Sequence, residues 1–151
     1  MAEKGFPKTT VKKSRVHGKG LFAAQAIAPG TPVIEYGGER ITRAEARRRY
    51  PEQLGVDQPN HVLAIDARTA IDGGVDGTDA RFANHSCAPN SELLVYKKRV
   101  FLVAVKPIAK GEEITYDYAL EITGNLDPIS AMIATACSCG AKGCRGTMLR
   151  A

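Results

Sequence analysis

The stretch Arg81-Phe82-Ala83-Asn84-His85-Ser86-Cys87-Ala88-Pro89-Asn90 places an amide, an imidazole, a hydroxyl and a thiol in consecutive positions of a 151-residue chain. Any one of them alone reads as a satisfied turn residue, because short polar side chains bond nearby backbone. A hydrolase built on Ser86 or Cys87 with His85 is the other simple reading, and it fails on geometry. Side chains of adjacent residues diverge and rarely form a nucleophile–base pair, and the sequence holds no nucleophile elbow. The loop therefore needs partners from elsewhere in the chain.

One partner lies near the C-terminus. Cys137-Ser138-Cys139-Gly140-Ala141-Lys142-Gly143-Cys144 is a C-x-C-x4-C array bent by glycines. Zinc takes four ligands in a tetrahedron, with Zn–S distances of about 2.3 Å. The only other cysteine is Cys87, inside the first stretch. A site of Cys87, Cys137, Cys139 and Cys144 uses every cysteine, and that count favours one zinc ion over free or redox-active thiols. The metal would pin the tail onto the loop at residues 84–90 and supply ordering energy that so short a tail cannot draw from its own core.

Two further motifs are weaker alone. In Glu112-Glu113-Ile114-Thr115-Tyr116-Asp117-Tyr118, strand geometry puts Tyr116 and Tyr118 on one face and Asp117 on the other. Two ordinary strand tyrosines would look the same. Val16-His17-Gly18-Lys19-Gly20-Leu21-Phe22 has a G-x-G without the third glycine or the βαβ setting of a dinucleotide fingerprint. By itself it reads as a tight turn or bulge before a strand.

Frequent turn signals and short apolar runs predict many short strands. Residues 21–27 and 33–36 flank Ala28-Pro29-Gly30, residues 62–66 and 69–72 are short strands, and 113–118 is the last strand. Residues 92–96 and 100–105 form a hairpin around Lys97-Lys98-Arg99. Thr42-Arg43-Ala44-Glu45 is a capping box, in which the Thr42 hydroxyl and the Glu45 carboxylate each take a free backbone N–H. Its helix runs through Arg49 and stops before Pro51. Asp127-Pro128 opens a second short helix ending near Thr135. Ile27-Ala28-Pro29-Gly30 before Tyr36 is echoed by Ile108-Ala109-Lys110-Gly111 before Tyr116, which predicts one strand–turn–strand device used twice.

The hydrophobic fraction of 44% and charged fraction of 25% suit one globular domain. No stretch nears the roughly 20 apolar residues of a membrane span, and the N-terminus lacks the apolar core of a signal peptide. The expectation is a soluble protein of a reducing compartment, with no membrane partner. The net charge of +5 gathers at Lys12, Lys13 and Arg15, at residues 43–49, and at Lys97, Lys98 and Arg99. Solvated surface is the plain reading; nucleic-acid contact stays secondary because no such motif accompanies the charge.

Together, in this order, the four motifs resemble the SET-domain protein-lysine methyltransferases, in the branch with a post-SET zinc motif, over residues 11–148. The resemblance implies a mainly β fold of small sheets with a few short helices and a knot-like crossing of the C-terminal segment. It divides the chain into a flexible tail (1–10), a SET domain (11–118), a connecting segment or lid helix (119–136) and a zinc-binding tail (137–151). It implies S-adenosylmethionine as methyl donor, a structural zinc ion, and a lysine of a protein or peptide, such as a histone tail, as substrate. Cofactor binding carries over to His17, Gly18, Lys19 and Gly20, to Asn84 and His85, to Ser138 over the adenine, and to Arg81 as a brace. Tyr118 matches the catalytic tyrosine, and Tyr116 the position that sets methylation degree, implying mainly monomethylation.

The chain departs from the pattern at His61, where the family often has a lysine-channel tyrosine. His61 either takes that role or marks a different channel wall. Two other readings stay open at this point: a SET-like cofactor or peptide binder without turnover, and a zinc-containing nucleic-acid binder. The last leaves the tyrosines and the Asn84–His85 pair unexplained. The Ala- and Arg-rich composition and the absence of accessory regions fit a bacterial protein, cytoplasmic or delivered to a host nucleus.

Overall fold

Short alternating apolar runs between turn residues produce ten strands and two seven-residue helices among the residues described by the computed structural model, 5–50, 61–120 and 127–150. In chain order these are β1 (Thr9–Lys13), β2 (Lys19–Ala23), β3 (Pro32–Glu35), β4 (Glu39–Thr42), α1 (Arg43–Arg49), β5 (Val62–Ala64) and β6 (Thr69–Asp72). A 3-10 turn at Asp79–Phe82 leads to β7 (Asn84–His85), β8 (Ser91–Tyr96), β9 (Arg99–Ala104), β10 (Glu113–Tyr116) and α2 (Pro128–Ala134). The strands form three small sheets, ordered β1-β2-β10-β7, β3-β9-β8 and β4-β6-β5. This is the mainly β architecture that the sequence predicts.

The repeated Ile-Ala-x-Gly phrase organises the centre. Its two copies face each other: the Ile27 N–H donates to the Ile108 carbonyl (2.8 Å) and the Ile108 N–H to the Ile27 carbonyl (2.9 Å). The glycines are matched as well, the Gly30 N–H reaching Ala104 O and the Gly111 N–H reaching Ala23 O, both at 2.7 Å. Both glycines sit at positive φ (83° and 89°), a backbone state that side-chain-bearing residues rarely adopt. Strands before and after each turn cross-pair, β2 with β10 and β3 with β9. A register shift between Pro32 and Ile34 makes the first copy one residue longer before its tyrosine. Leu21, Ile27, Ile108 and Ile114 are all at most 3% exposed here, and burying each such side chain contributes roughly 1.5–3 kcal/mol.

Local signals mostly act as their chemistry dictates. Thr42 caps α1 by accepting from the Glu45 N–H (3.0 Å), and Asp127 caps α2 by accepting from the Ser130 N–H (2.9 Å). The other half of the predicted capping box is corrected. The Glu45 carboxylate bonds the Arg48 and Arg49 guanidiniums instead, because charged donors on its own helix compete better than a neutral N–H. The hairpin turn holds only Lys97 and Lys98, at φ 49° and 63°, so Arg99 joins β9 and bonds Glu35 across the sheet. Two successive positive φ values are what the twist of a two-residue hairpin requires.

The expected loose tail at 1–10 falls partly on residues 1–4, outside the described residues. From there on, Phe6 meets the Phe101 ring at 6.3 Å, the Lys8 carbonyl accepts from the Ala24 N–H, and β1 starts at Thr9. Within the expected connecting segment 119–136, α2 is present and residues 121–126 lie outside the described residues. Among the described residues no helix is long and apolar enough to cross a membrane.

Candidate active site with an adjoining cysteine cluster

Two residues of parallel pairing create the site. β7 lies against β10 with Asn84 beside Thr115 and His85 beside Tyr116, so the polar loop and the tyrosine strand become neighbours. The ladder ends at Tyr116, and the Tyr118 N–H donates to His85 Nδ1 instead (3.0 Å). Tyr116 and Tyr118 point together, as alternation predicts, with ring centroids 4.9 Å apart, and Tyr118 meets the His85 ring edge-on at 5.4 Å.

A third tyrosine joins them. Tyr36 is 3% exposed and donates its hydroxyl proton to the His61 carbonyl at 2.8 Å. The Tyr118 hydroxyl donates to the Ala83 carbonyl at 2.7 Å. No described residue bonds the Tyr116 hydroxyl. Burial, and then the neighbouring tyrosines, hold the Tyr116 hydroxyl well above its ordinary pKa; burial, and then the Glu113 carboxylate, do the same for Tyr118. Burial, followed by Tyr118 and Asp72, also raises Tyr36. All three stay neutral at physiological pH. None of their hydroxyls bonds a carboxylate among the described residues, so the cluster is suited to orienting a neutral base and not to general-base catalysis. Sequence analysis did not assign Tyr36 a role, although its place in the repeated phrase, equivalent to that of Tyr116, was the signal that could have found it.

The G-x-G segment lies alongside. Asn84 Nδ2 is 3.1 Å from the His17 carbonyl, 3.0 Å from the Lys19 carbonyl and 2.8 Å from Glu113 Oε1. His17, Gly18 and Lys19 are exposed, and nothing comes within 4 Å of a Cβ placed on Gly18, so bare backbone faces open space there. That face fits a ligand gripped through backbone groups. A Cβ on Gly20 would crowd the Glu113 carboxylate, standing 2.9 Å from Glu113 Cδ and 3.0 Å from Ser14 Cβ, so a side chain there would displace Glu113.

His61 lies at the rim, exposed and at φ 69°, with Nδ1 3.0 Å from the Arg81 carbonyl and its ring edge-on to Phe82. The Arg81 guanidinium stacks over Phe82 at 4.7 Å and donates to the Gly73 carbonyl. Arg81 thus braces the segment carrying His61 and is not among the groups bonded to Asn84. Ser138 is exposed between its two cysteines, and no described residue bonds its side chain.

The four cysteines converge. Their sulfurs all lie within 4.8 Å of one another, with Cys87 3.8 Å from Cys137 and 3.9 Å from Cys144. A tetrahedron with bonds of about 2.3 Å has sulfur–sulfur edges of about 3.8 Å, so the spacing fits zinc. At Cys139 burial opposes ionisation, but backbone N–H donors and the other thiols outweigh it and bring the group to about 6; at Cys137 burial dominates and pushes the thiol to about 12. Four sulfurs this close cannot all become thiolates without a cation between them. Backbone N–H groups of Arg145, Cys139 and Gly146 point at Cys87, Cys137 and Cys144, each at 3.4 Å, as outer partners of thiolate ligands do.

Two links join this cluster to Tyr118. His85 Nδ1 accepts from the Tyr118 N–H, which leaves the proton on Nε2, 3.4 Å from Cys87 Sγ. Burial first, and then the Arg145 charge, keep the imidazole below its ordinary pKa, against the pull of Asp117, so the 3.6 Å approach of His85 to Asp117 is not an ion pair. The second link is Arg145, whose guanidinium bonds both Asp117 oxygens at 3.0 Å and the Leu149 carbonyl at 3.1 Å. Burial works against the Asp117 charge, yet the Arg145 bonds prevail and hold its carboxyl below the usual range. Sequence reading missed this pair, which spans distant segments and leaves no local pattern.

Residues 18–119 match the SET-domain family model. Over 149 residues the chain is 40% identical to histone-lysine N-methyltransferase set-2 of Caenorhabditis elegans, covering 93% of this chain and 9% of that protein. It is 37% identical over 141 residues to histone-lysine N-methyltransferase trithorax of Drosophila virilis, covering 89% of this chain and 3% of that protein. An Aspergillus fumigatus protein named histone-lysine N-methyltransferase, H3 lysine-4 specific, is 35% identical over 140 residues, covering 89% of this chain and 11% of its own length. The chain thus spans about a tenth or less of the length of these curated relatives.

Proposed function

The chain belongs to the SET-domain family, and from that premise we propose that it is a protein-lysine N-methyltransferase using S-adenosylmethionine. The observation that carries this reading is the cluster of three neutral tyrosines beside the Asn84–His85 loop, Tyr36 and Tyr116 buried and Tyr118 half-buried. When bound, S-adenosylmethionine supplies an electrophilic sulfonium methyl group. His17, Gly18, Lys19 and Gly20 hold the donor largely through backbone, with Asn84 and His85 beside them and Ser138 closing over the adenine. Cys87, Cys137, Cys139 and Cys144 hold one zinc ion, which fixes the tail over this site.

A lysine amine must be neutral to attack. Its reference pKa of about 10.4 leaves roughly one amine in a few thousand neutral at pH 7. A channel walled by Tyr36, Tyr116 and Tyr118 disfavours the ammonium form by desolvation and needs no carboxylate base. The Tyr118 hydroxyl keeps its proton on the Ala83 carbonyl. Its oxygen lone pairs are then free to orient the amine and to make weak C–H···O contacts with the methyl group. Alignment of the two reactants supplies much of the rate. The Tyr116 hydroxyl, which no described residue bonds, would hold a water that must leave before a monomethylated amine can turn for a second transfer, so the product is mainly monomethyllysine. His61 lines the channel mouth in place of the family's tyrosine.

The names of the relatives make a histone H3 tail the first substrate to try. A histone substrate places the enzyme in a nucleus, its own cell's or a host's; a non-histone protein substrate would suit a bacterial cytoplasm. Incubation with isotope-labelled S-adenosylmethionine and mixed histones or lysate should label protein. Thermal stabilisation by the donor without any labelling would favour a silent binder instead, and the absence of both would remove the cofactor assignment.

A further inference from the structure

Three small sheets leave several strand edges unpaired, and an unpaired edge is a template for another chain unless it is blunted. Among the described residues all edges but one are blunted. β1 carries Lys12 and Lys13, β3 starts at Pro32 and shifts register before Ile34, and β4 carries Glu39 and Arg40. β5 and β7 are only three and two residues long. β8 is the exception. Its six residues, Ser91–Tyr96, pair with β9 without a register shift, include no Lys, Arg or Pro, and carry one charge, Glu92, near the start. Its second half is uncovered, with Leu94, Val95 and Tyr96 50%, 51% and 59% exposed.

The pairing with β9 fixes which backbone groups are open. The two-residue turn at Lys97 and Lys98 closes on a hydrogen-bonded Tyr96–Arg99 pair. Bonded and open residues alternate along an antiparallel strand, so Leu94 and Glu92 also bond β9, and the Val105 N–H donating to the Asn90 carbonyl (2.8 Å) keeps the same parity. The N–H and C=O groups of Leu93 and Val95 therefore face outward, and no described residue beyond the sheet bonds them. Glu92, Leu94 and Tyr96 share the outer face. That face runs from acid through apolar to base, because Lys97 Nζ stands 5.3 Å over the Tyr96 ring. Neither Glu92 nor Lys97 has an ion-pair partner among the described residues. A strand with an acid at one end and a base at the other complements a second copy of itself running antiparallel.

We propose that β8 is a self-docking edge, through which two copies of the chain pair their β8 strands antiparallel about a two-fold axis at Leu94. In that register Leu93 of each copy exchanges hydrogen bonds with Val95 of the other, which uses every open group of both strands. Leu94 meets its own equivalent, and Glu92 lies opposite Tyr96 and beside Lys97 of the second copy, twice per dimer. None of the residues assigned above to donor, lysine or zinc lies on β8. One strand pair buries less than the roughly 1,200 Å² of a stable complex, so the dimer is reversible. Sedimentation equilibrium of the full chain at low salt should show monomer–dimer exchange with a Kd of about 10–100 µM. Amide hydrogen exchange at Leu93 and Val95 should slow as the dimer forms. Leu94→Lys should abolish dimerisation, and Glu92→Lys should weaken it by at least about tenfold by setting like charges together. Glu92→Lys combined with Lys97→Glu should return it to within about threefold of wild type. Circular dichroism checks that each variant is folded. A wild-type chain that stays monomeric up to about 500 µM, well above that Kd, would overturn the proposal. So would a dimer indifferent to Leu94→Lys and Glu92→Lys, which would use another face. A double variant as weak as Glu92→Lys alone would refute the antiparallel pairing.

Discussion

The strand that carries Tyr116 and the tail that carries Cys137, Cys139 and Cys144 meet at the same loop but reach it by different means. The strand is set by buried carbon: Ile114 is 0% exposed, β10 is paired on both sides, and the Ile27–Ile108 contact locks the turn that precedes it. The tail has almost none of this. Between Ala136 and Arg150 only Thr147 is buried, α2 turns Ile129, Met132 and Ile133 outward, and the segment is tied by four sulfurs, the Arg145 ion pair and the isolated bridges Leu120–Leu149 and Ala136–Thr147. One wall of the site is therefore set by the core, whereas the other depends on the four-cysteine cluster and a few polar contacts. Closure can be lost here without loss of the fold.

Cys87→Ser is the harshest test of that difference. Metal analysis should find one zinc per chain in wild type and none in the variant, with activity at background and the β-sheet circular dichroism largely kept. A full zinc equivalent in Cys87→Ser would remove the assigned ligand set.

Arg145→Ala should act more gently, because its backbone N–H still reaches Cys87 while its side chain no longer holds Asp117 and Leu149. Zinc should stay bound but exchange to a chelator about tenfold more readily, as for other outer partners of a metal site. Combining it with Asp117→Asn should add little, since both remove one ion pair. Additive effects would show that the two residues act separately.

The smallest expected change in rate, though a clear one in product, comes from Tyr116→Phe. Removing the hydroxyl and its water opens room, so mass spectrometry should show di- and trimethyllysine where wild type gives mainly the monomethyl form. An unchanged product ratio would take the switch role away from Tyr116.

The same contrast governs what could be read from the sequence. The tyrosine strand, the capped helices, the cysteine quartet and the repeated Ile-Ala-x-Gly phrase announce themselves by local spacing. The capping role of Glu45 was misread because Arg48 and Arg49 compete for the same carboxylate. The Tyr36–His61, Asn84–Glu113 and Asp117–Arg145 contacts are made between segments brought together only by the cross-paired sheets, so no periodicity encodes them. Local chemistry thus named most residues of the candidate site, and long-range pairing decided which neighbour each would touch.

The central claim is that the tyrosine cluster orients a lysine amine for methyl transfer from S-adenosylmethionine. A mass-spectrometric time course on mixed histones, with S-adenosylmethionine at saturating concentration, tests it directly when wild type and Tyr118→Phe are run side by side. Wild type should produce methyllysine, and Tyr118→Phe should be slower by at least about tenfold, roughly 1.4 kcal/mol of barrier, at nearly unchanged donor affinity. Wild-type protein that binds the donor and carries its zinc, yet leaves every lysine unmethylated in both histones and whole lysate, would contradict the account.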